Sequence, residues 1–265
     1  MFVRPDFDPI ALSVGPLSVY WYGVMYLASF LVGWALANAR TRLAHIEWSR
    51  EQVGDFLFYV VLGVVLGGRL GYVLLYQPGA YFAHPLHILY VWDGGMSFHG
   101  GLIGVAAASL LFAWRGQRHW FDVIDFVAPI VPIGLFLGRI GNFINGELVG
   151  RIVHTPVPWA MVYPQVGPNP RHPSELYEAC LEGLLLFVLL WFFALRPRPR
   201  GVVTGVFLTG YGCARFVAEF FRQPDPFAGF VAFGWMTLGQ VYSLPMIAIG
   251  VALMIWGYTR RPGIA

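Results

Sequence analysis

The sequence predicts an all-α integral membrane protein on three observations: its composition, its long apolar runs and its few, unevenly placed charges. Of the 265 residues, 57% are hydrophobic and 12% are charged, and the mean hydropathy is +0.62. Soluble domains carry about 25% charged residues. We therefore expect a single polytopic membrane domain over residues 1–265, with a small extracytoplasmic head and interfacial arm segments.

About seven apolar runs are long enough to form membrane-spanning helices. They are Val19–Ala37, Phe56–Tyr76, Met96–Trp114, Val123–Gly138, Ala179–Leu195, Val202–Phe221 and Trp235–Trp256. The fourth and fifth are the least typical, because they are short and contain Asp125 and Glu182.

The positions of the arginines predict the orientation in the membrane. The chain has no lysine, and ten of its 17 arginines follow the first, third, fifth and seventh runs. These ten are Arg40, Arg42, Arg50, Arg115, Arg118, Arg196, Arg198, Arg200, Arg260 and Arg261. Because arginine is enriched in cytoplasmic loops, we expect the N-terminus outside and the C-terminus in the cytoplasm.

Topology does not explain the other seven arginines, which are Arg4, Arg69, Arg139, Arg151, Arg171, Arg215 and Arg222. A guanidinium presents a rigid, planar fork of donors that matches phosphate oxygens. We expect several of these side chains to bind an anionic group, with phosphate the natural partner.

Two segments are expected outside the membrane. Residues 142–174 are rich in proline, glycine and polar side chains, which predicts the small extracytoplasmic head. The segment Gln77–Gly95 carries aromatic residues typical of a helix lying in the membrane interface. These residues are Tyr81, Phe82, Tyr90 and Trp92.

The segment Gly138–Arg151 contains two arginines, two asparagines, a glutamate and four glycines at the end of an apolar run. Arginine and asparagine are costly to hold at membrane depth, so they are expected to face a protein interior or a water-filled cavity and to serve function. The glycines let the backbone approach a ligand closely. This segment is the first candidate for a binding site.

A second polar group is predicted on one helix face. Tyr211, Arg215, Glu219 and Arg222 are spaced at i, i+4, i+8 and i+11, which aligns them on a helix. A buried arginine and glutamate can simply neutralise each other. Two arginines to one glutamate, however, leave positive charge, which favours an anionic ligand.

His99 lies at the predicted outer start of the third run, beside Gly100 and Gly104. The glycine spacing is also typical of helix packing, and a lone histidine in an apolar context is more often structural. Its position at the same predicted boundary as Arg139 makes it a candidate proton acceptor.

The glycines at 63, 67, 68 and 71 predict close helix packing around Arg69, with Arg69 bound to a carboxylate or a lipid headgroup. Near the fifth run, Ser174 is a plausible N-cap, and the acidic residues that follow it fit the first turn of a helix. Helix capping leaves the roles of Arg171 and His172 open.

Six motifs together resemble the bacterial prolipoprotein diacylglyceryl transferase family. In chain order they are Trp21-Tyr22-Gly23, Gly67-Gly68-Arg69, Trp92–Gly101, Gly138–Glu147, Arg171–Ser174 and Glu219–Asp225. The resemblance covers almost the whole chain, and two of its blocks, Trp92–Gly101 and Gly138–Glu147, are too long to match by chance.

The resemblance implies a bacterial inner-membrane enzyme with its N-terminus and active site facing the periplasm. Such an enzyme moves the diacylglyceryl group of phosphatidylglycerol to the lipobox cysteine thiol of a preprolipoprotein and releases glycerol phosphate. Its partners would be that lipid, the preprolipoprotein signal peptide and the surrounding membrane lipid. No metal, soluble cofactor or nucleic acid is expected.

Matching the motifs gives each candidate residue a role. Arg139 and Arg215 would bind the phosphate, and His99, assisted or replaced by Tyr22, would be the base; the choice between these two stays open. The expected substrate-binding residues are Asn142, Asn145, Glu147, Gly150, Tyr211, Glu219, Arg222, Arg69 and His172.

Two other functions, transport and intramembrane proteolysis, fit the sequence less well. A transporter for an anionic metabolite would use the same arginines but needs polar residues reaching both faces, whereas here the unexplained ones gather at the predicted outer side. An intramembrane protease is disfavoured because the chain contains no HExxH, GxGD or GxSG motif.

Overall fold

Helices dominate the computed structural model, which describes residues 2–15, 17–90, 94–155, 157–224 and 228–260. The α-helices are α1 (Trp21–Arg40), α2 (Arg50–Leu75), α3 (Pro78–Ala83), α4 (Phe98–Arg115), α5 (Trp120–Val127), α6 (Val131–Asn145), α7 (Ser174–Glu178), α8 (Leu186–Phe193), α9 (Val202–Ala218) and α10 (Leu238–Thr259). A 3₁₀-helix covers Pro85–Leu89, and a π-helical segment, Ala179–Leu185, joins α7 to α8. Trp92, Asp93 and Asp225 of the sequence motifs lie outside the described residues.

Five helices in the described part of the chain are long and apolar enough to cross a membrane. They are Trp21–Arg40, Arg50–Leu75, Phe98–Arg115, Ser174–Phe193 and Leu238–Thr259, and the bent pair α5 and α6 counts as a sixth if it forms one span. The predicted membrane character is thus confirmed, but the count of seven is not. Pro129 interrupts the predicted fourth span, since proline cannot donate within a helix, and α9 is shorter than predicted.

Short strands accompany the helices, and the mostly helical fold is consistent with the all-α membrane prediction. The strands are β1 (Phe2–Val3), β2 (Ile10–Val14), β3 (Leu17–Tyr20), β4 (Met161–Tyr163), β5 (Gly167–Arg171), β6 (Phe230–Ala232) and β7 (Met236–Thr237). β2 with β3 and β6 with β7 form antiparallel pairs. In the predicted head, β4 pairs antiparallel with β5 and parallel with β1.

The chain divides into two units, Met1–Leu36 with Val127–Ala265, and Ala37–Phe126. In the second unit, α2 and α4 pack through glycines. A Cβ added at Gly63 would lie 2.9 Å from the carbonyl carbon of Gly104, and one at Gly71 would lie 2.7 Å from the Cα of Gly100. The predicted close packing of these helices is confirmed.

In the first unit, apolar residues of α8 and α9 form a core beside the polar residues described below. Its buried members are Ala128, Leu186, Leu190, Ala194 and Val203. Gly183 in the π-helical segment lies against α6, where an added Cβ would be 2.7 Å from the Cα of Phe136. This contact brings the π-helical segment, with Glu182, close to Arg139.

Candidate active site

Three helical segments of the first unit bring three arginines and three glutamates together. Arg139 comes from α6 and Arg215 from α9, and Arg222 follows the end of α9. The glutamates are Glu178 at the end of α7, Glu182 in the π-helical segment and Glu219 at the C-cap of α9. We call these six residues the arginine–glutamate cluster.

Glu178 and Glu182 link the two arginines of the predicted phosphate site. Arg139 places Nε 2.8 Å from Glu178 Oε2 and its NH2 atom 3.1 Å from Glu182 Oε2. The NH1 atom of Arg215 lies 2.9 Å from Glu178 Oε1 and 3.4 Å from Glu182 Oε1. Both guanidinium groups therefore have positions fixed by the same two carboxylates.

Glu219 extends the cluster along α9. Its Oε1 atom lies 2.5 Å from the NH2 atom of Arg215 and 3.7 Å from NH1 of Arg222. Its Oε2 atom accepts a hydrogen bond of 2.7 Å from the hydroxyl of Thr237, the residue that caps α10. Thr237 thus orients the carboxylate that holds Arg215.

Burial separates the two kinds of side chain in the cluster. The side chains of Glu178 and Glu182 are 1% and 0% exposed, whereas those of Arg139 and Arg215 are 16% and 14% exposed. The carboxylates therefore lie behind the arginines, and part of each guanidinium remains accessible. Such an edge can donate hydrogen bonds to an anionic ligand.

The predicted excess of positive charge on the α9 face does not hold for the cluster as a whole. Glu178 and Glu182 add two carboxylates to the four predicted residues, so three arginines meet three glutamates. Sequence analysis missed them because they lie on another helix. Glu178 just before the fifth apolar run and Glu182 within it were the available indication, since a spacing of four places both on one helix face.

The helix that carries these glutamates is irregular. The described chain from Ser174 to Phe193 is helical throughout, but Ala179–Leu185 has π-helical hydrogen bonding. Such segments are uncommon and occur frequently at functional sites. Ser174 is not the N-cap that the sequence predicted: Pro173 occupies that position, and the Ser174 hydroxyl donates to the carbonyl of Leu148.

The end of α6 forms a second polar group, as predicted. Asn142 Nδ2 donates to Glu147 Oε2 at 3.1 Å, and Asn145 Nδ2 donates to Glu147 Oε1 at 3.2 Å. The helix ends at Gly146, whose φ of +69° suits glycine. The turn brings the exposed carboxylate back over the two amides, and the Oδ1 atom of Asn145 has no hydrogen-bond partner in the described residues.

Arg4 holds this turn from the N-terminal strand segment. Its Nε donates to the carbonyl of Phe143 at 2.9 Å and its NH2 group to that of Ile144 at 2.5 Å. Carbonyls at a helix C-terminus have no partners within the helix, and a cation there is favourable. Arg4 is 5% exposed, so its described role is to cap α6.

Gly150 lies where the head meets the end of α9. Its N–H donates to the carbonyl of His172 at 3.1 Å, and an added Cβ would lie 2.8 Å from the carbonyl oxygen of Phe221. Arg171 donates to the carbonyl of Gly150 at 2.9 Å, and Arg151 donates to that of Arg222. Gly150 is therefore enclosed by backbone on both sides.

Two tyrosine hydroxyls join the head to α7. The buried hydroxyl of Tyr163 donates to Glu175 at 3.0 Å. Burial is the main cause that raises the pKa of Tyr163, and the negative charge of Glu175 raises it further. His172 lies 3.1 Å, through Nδ1, from the hydroxyl of Tyr177, and burial lowers the pKa of His172.

Two further predicted residues lie near the cluster. Tyr211 is on α9 and stacks on Phe207, within electrostatic range of Arg139 and Glu182. Tyr22, at the start of α1, lies within electrostatic range of Arg139 and Glu147. The structure therefore places Tyr22 and Tyr211 near the arginines of the cluster.

Arg69 and His99 belong to the second unit. Arg69 is 4% exposed and donates to the backbone carbonyls of His87, Ile88 and Gly94, not to a carboxylate, which was one of its two expected partners. It holds the segment that precedes α4. His99, in the first turn of α4, is exposed and packs edge-on against Phe98.

Comparisons with known proteins agree with the motifs. The family model described as "Prolipoprotein diacylglyceryl transferase" matches residues 9–256. A protein of Cupriavidus necator is 54% identical over 267 residues, covering 99% of this chain and 97% of its own. A protein of Burkholderia mallei (strain SAVP1) is 50% identical over an alignment of 295 residues, covering 100% and 99%. Both are named phosphatidylglycerol–prolipoprotein diacylglyceryl transferase, and the chain belongs to the prolipoprotein diacylglyceryl transferase family.

Proposed function

We propose that this protein transfers the diacylglyceryl group of phosphatidylglycerol to the lipobox cysteine of a preprolipoprotein. The reaction is the first step of bacterial lipoprotein maturation and takes place in the inner membrane. Family membership and the names of its relatives support the reaction, and the apolar helices support the membrane location.

The observation that carries the proposal is the asymmetric burial of the arginine–glutamate cluster. Glu178 and Glu182 are buried behind Arg139 and Arg215, whose guanidinium groups stay partly exposed. An arginine held in this way donates to a phosphate without reorganising during the reaction. Preorganised donors of this kind make a large contribution to stabilising a transition state.

The chemistry needs a base and a site for the leaving group. A base takes the thiol proton of the substrate cysteine, because the thiolate is the nucleophile. The sulfur then bonds to the glyceryl carbon that carries the phosphate. The C–O bond breaks, its electron pair goes to the phosphate oxygen, and glycerol phosphate leaves. Arg139 and Arg215 stabilise the negative charge that develops on that oxygen.

The turn that ends α6 recognises the glycerol of the headgroup in this proposal. Glu147 is an acceptor held by two asparagine amides, and Asn145 Oδ1 is a further acceptor. Glycerol hydroxyls are donors that match these oxygens. Gly150 and His172 support the head beside this turn through the hydrogen bond between their backbones.

Two residues compete for the role of base. His99 is exposed at the start of α4, and an imidazole can accept a proton as a general base. Tyr22 lies near Arg139 and Glu147 in the first unit. In a transfer assay, His99→Ala is expected to abolish activity if His99 is the base, and Tyr22→Phe if the phenol is.

The proposed orientation places the N-terminus and the active site on the periplasmic side. Clusters of arginines after α1, α4 and α8 support it through the positive-inside rule. In this orientation α5 with α6 forms one span and the shorter α9 another, which restores seven crossings. Cysteine labelling from either side of intact inner-membrane vesicles tests this orientation. Arg42→Cys should react from the cytoplasmic face, and Asp8→Cys from the periplasmic face.

The transfer itself is tested with purified protein in detergent, phosphatidylglycerol and a lipobox peptide. The expected result is a diacylglyceryl mass gain on the peptide with release of an equal amount of glycerol phosphate. A peptide carrying serine in place of the lipobox cysteine is the control and should gain no mass. Absence of transfer by a folded protein given competent lipid would overturn the proposal and lead to a flux assay for transport in vesicles.

A further inference from the structure

An apolar groove runs along the paired helices α2 and α4 in the second unit. It encloses about 760 Å³. Its lining residues come from these two helices, and none of them has an assigned role in the proposed transfer reaction. Because both helices are long and apolar enough to cross a membrane, the groove is expected to face lipid.

Glycines make the groove deep and leucines make its walls. Gly67 and Gly104 lie at the crossing, where an added Cβ on Gly67 would be 2.8 Å from the Cα of Gly104. The side chains of Leu66, Leu70 and Ile103 line the groove and are 57%, 49% and 69% exposed. The floor therefore lacks side chains, while branched apolar groups stand on both sides.

The groove has a cation at one end only. Arg115, the last residue of α4, lines that end, and its NH1 group donates to the hydroxyl of Tyr59 at 2.8 Å. A guanidinium has five N–H groups, so Arg115 can donate to a further ligand as well. Within the described residues, no carboxylate is within ion-pair distance of Arg115. The nearest acidic residue before Tyr59 on α2 is Asp55, one turn away.

Aromatic side chains place this end at the level of the lipid headgroups. Trp114 is 74% exposed, and Tyr59 lies beside Arg115. Tryptophan and tyrosine are enriched at membrane interfaces. From Tyr59 to Leu75 the helix rises about 24 Å at about 1.5 Å per residue, close to the roughly 30 Å of a hydrocarbon core. The groove thus begins at phosphate depth and continues through the hydrocarbon.

We propose that this groove binds a phospholipid from the leaflet on the Arg115 side, with an acyl chain on the glycine floor and its phosphate on Arg115. The charge favours a lipid over a transmembrane segment of a secretory precursor. Such a segment carries positive charge at its cytoplasmic end, which Arg115 would repel. The bound lipid would be distinct from the reacting lipid and would lie along the outer side of the closely packed helix pair.

Native mass spectrometry of the protein released from nanodiscs tests this proposal. The nanodiscs contain phosphatidylglycerol and phosphatidylethanolamine with distinguishable acyl chains. Two variants act on different parts of the groove: Ile103→Trp fills it from an exposed position, and Arg115→Gln removes the cation. Leu27→Trp, at an exposed apolar position of α1, and Arg42→Gln, at an exposed arginine, are the matched controls.

The wild-type protein is expected to retain at least one phospholipid. Ile103→Trp and Arg115→Gln should each lower the retained fraction at least threefold, while both controls retain it. Equal retention by Ile103→Trp and wild type would overturn the proposal. A second outcome would also overturn it: an apolar polypeptide copurifies with the wild type and is lost in Ile103→Trp, while lipid retention stays the same. The groove would then hold a helix and not a lipid.

Transfer activity, measured on the same samples, separates this inference from the proposed function. Ile103→Trp is expected to keep the transfer rate while losing the retained lipid. Thermal unfolding in detergent confirms that each variant is folded before its lipid content is compared. If both groove variants are folded and retain as much lipid as the wild type, the proposed lipid site is refuted, whatever the transfer assay shows.

Discussion

Arg139 and Glu178 form an ion pair of 2.8 Å in which the carboxylate side chain is 1% exposed and the guanidinium side chain 16% exposed. The pair joins α6 to the helix that begins at Ser174. Its geometry leaves one edge of Arg139 for a ligand while the buried glutamate fixes its orientation. The proposed phosphate site therefore depends on residues that the phosphate itself would not touch.

Glu182→Gln is expected to lower the transfer rate about 10- to 100-fold, since Glu182 contacts both Arg139 and Arg215. Removing one partner of a buried ion pair lowers the free energy of unfolding by about 3–5 kcal/mol. Because the arginines are partly exposed, we expect a loss of stability near the lower end of that range. Activity and thermal unfolding are measured together. Glu51→Gln, at an exposed position of α2, is the control; an equal effect of both substitutions would refute the role of Glu182.

Gly150→Ala is expected to destabilise the head, because the new methyl group would meet the backbone at His172 and Phe221. Overpacking of this kind typically costs about 1–3 kcal/mol. Gly54→Ala is the matched control, because no atom lies within 4 Å of a Cβ at Gly54. The unfolding temperature should drop for Gly150→Ala alone. An unchanged unfolding temperature in both variants would contradict the close packing around Gly150.

Arg4→Ala should weaken the use of phosphatidylglycerol, because Arg4 caps the helix end that carries Asn142 and Asn145. Hydrogen bonds from a charged group contribute about 1.5–3 kcal/mol. Apparent KM values for the lipid and for the peptide are measured separately. A rise for the lipid is predicted, and a variant with both values unchanged would show that the turn keeps its shape without Arg4. Arg42→Ala is the control.

Stability should fall as the pH drops below about 6.5, partly through His172. Burial lowers the pKa of His172 in the folded protein, so the unfolded chain takes up the proton first. The neutral form is favoured in the fold, and its contribution is lost between the ordinary pKa of histidine and the lowered one. Unfolding temperatures at pH 7.5 and 5.5 are compared, and His172→Gln should show a smaller drop than wild type.

Patterns within single segments were predictable from the sequence. The glycine spacing on α2 and α4 correctly predicted close packing, because both residues of each contact are small. The grouping of Asn142, Asn145 and Glu147 was likewise predictable, since all three lie within one turn of a helix end.

Contacts between distant segments were not predictable in the same way. Nothing in the sequence pairs Glu178 with Arg139, or β1 with β4, because these contacts arise from tertiary packing. The two carboxylates that make the cluster neutral were therefore missed, and Arg4 was grouped with ligand-binding arginines although it caps a helix.

The most direct test of the account is a kinetic comparison of Arg139→Gln and Arg215→Gln with wild type, using phosphatidylglycerol and a lipobox peptide varied independently. The account predicts a loss of about 100-fold or more in kcat/KM for the lipid in each variant, with the peptide KM unchanged, because a preorganised donor to the developing charge is removed. Full activity in either folded variant, or a change confined to the peptide KM, would contradict the assignment of these arginines to the phosphate.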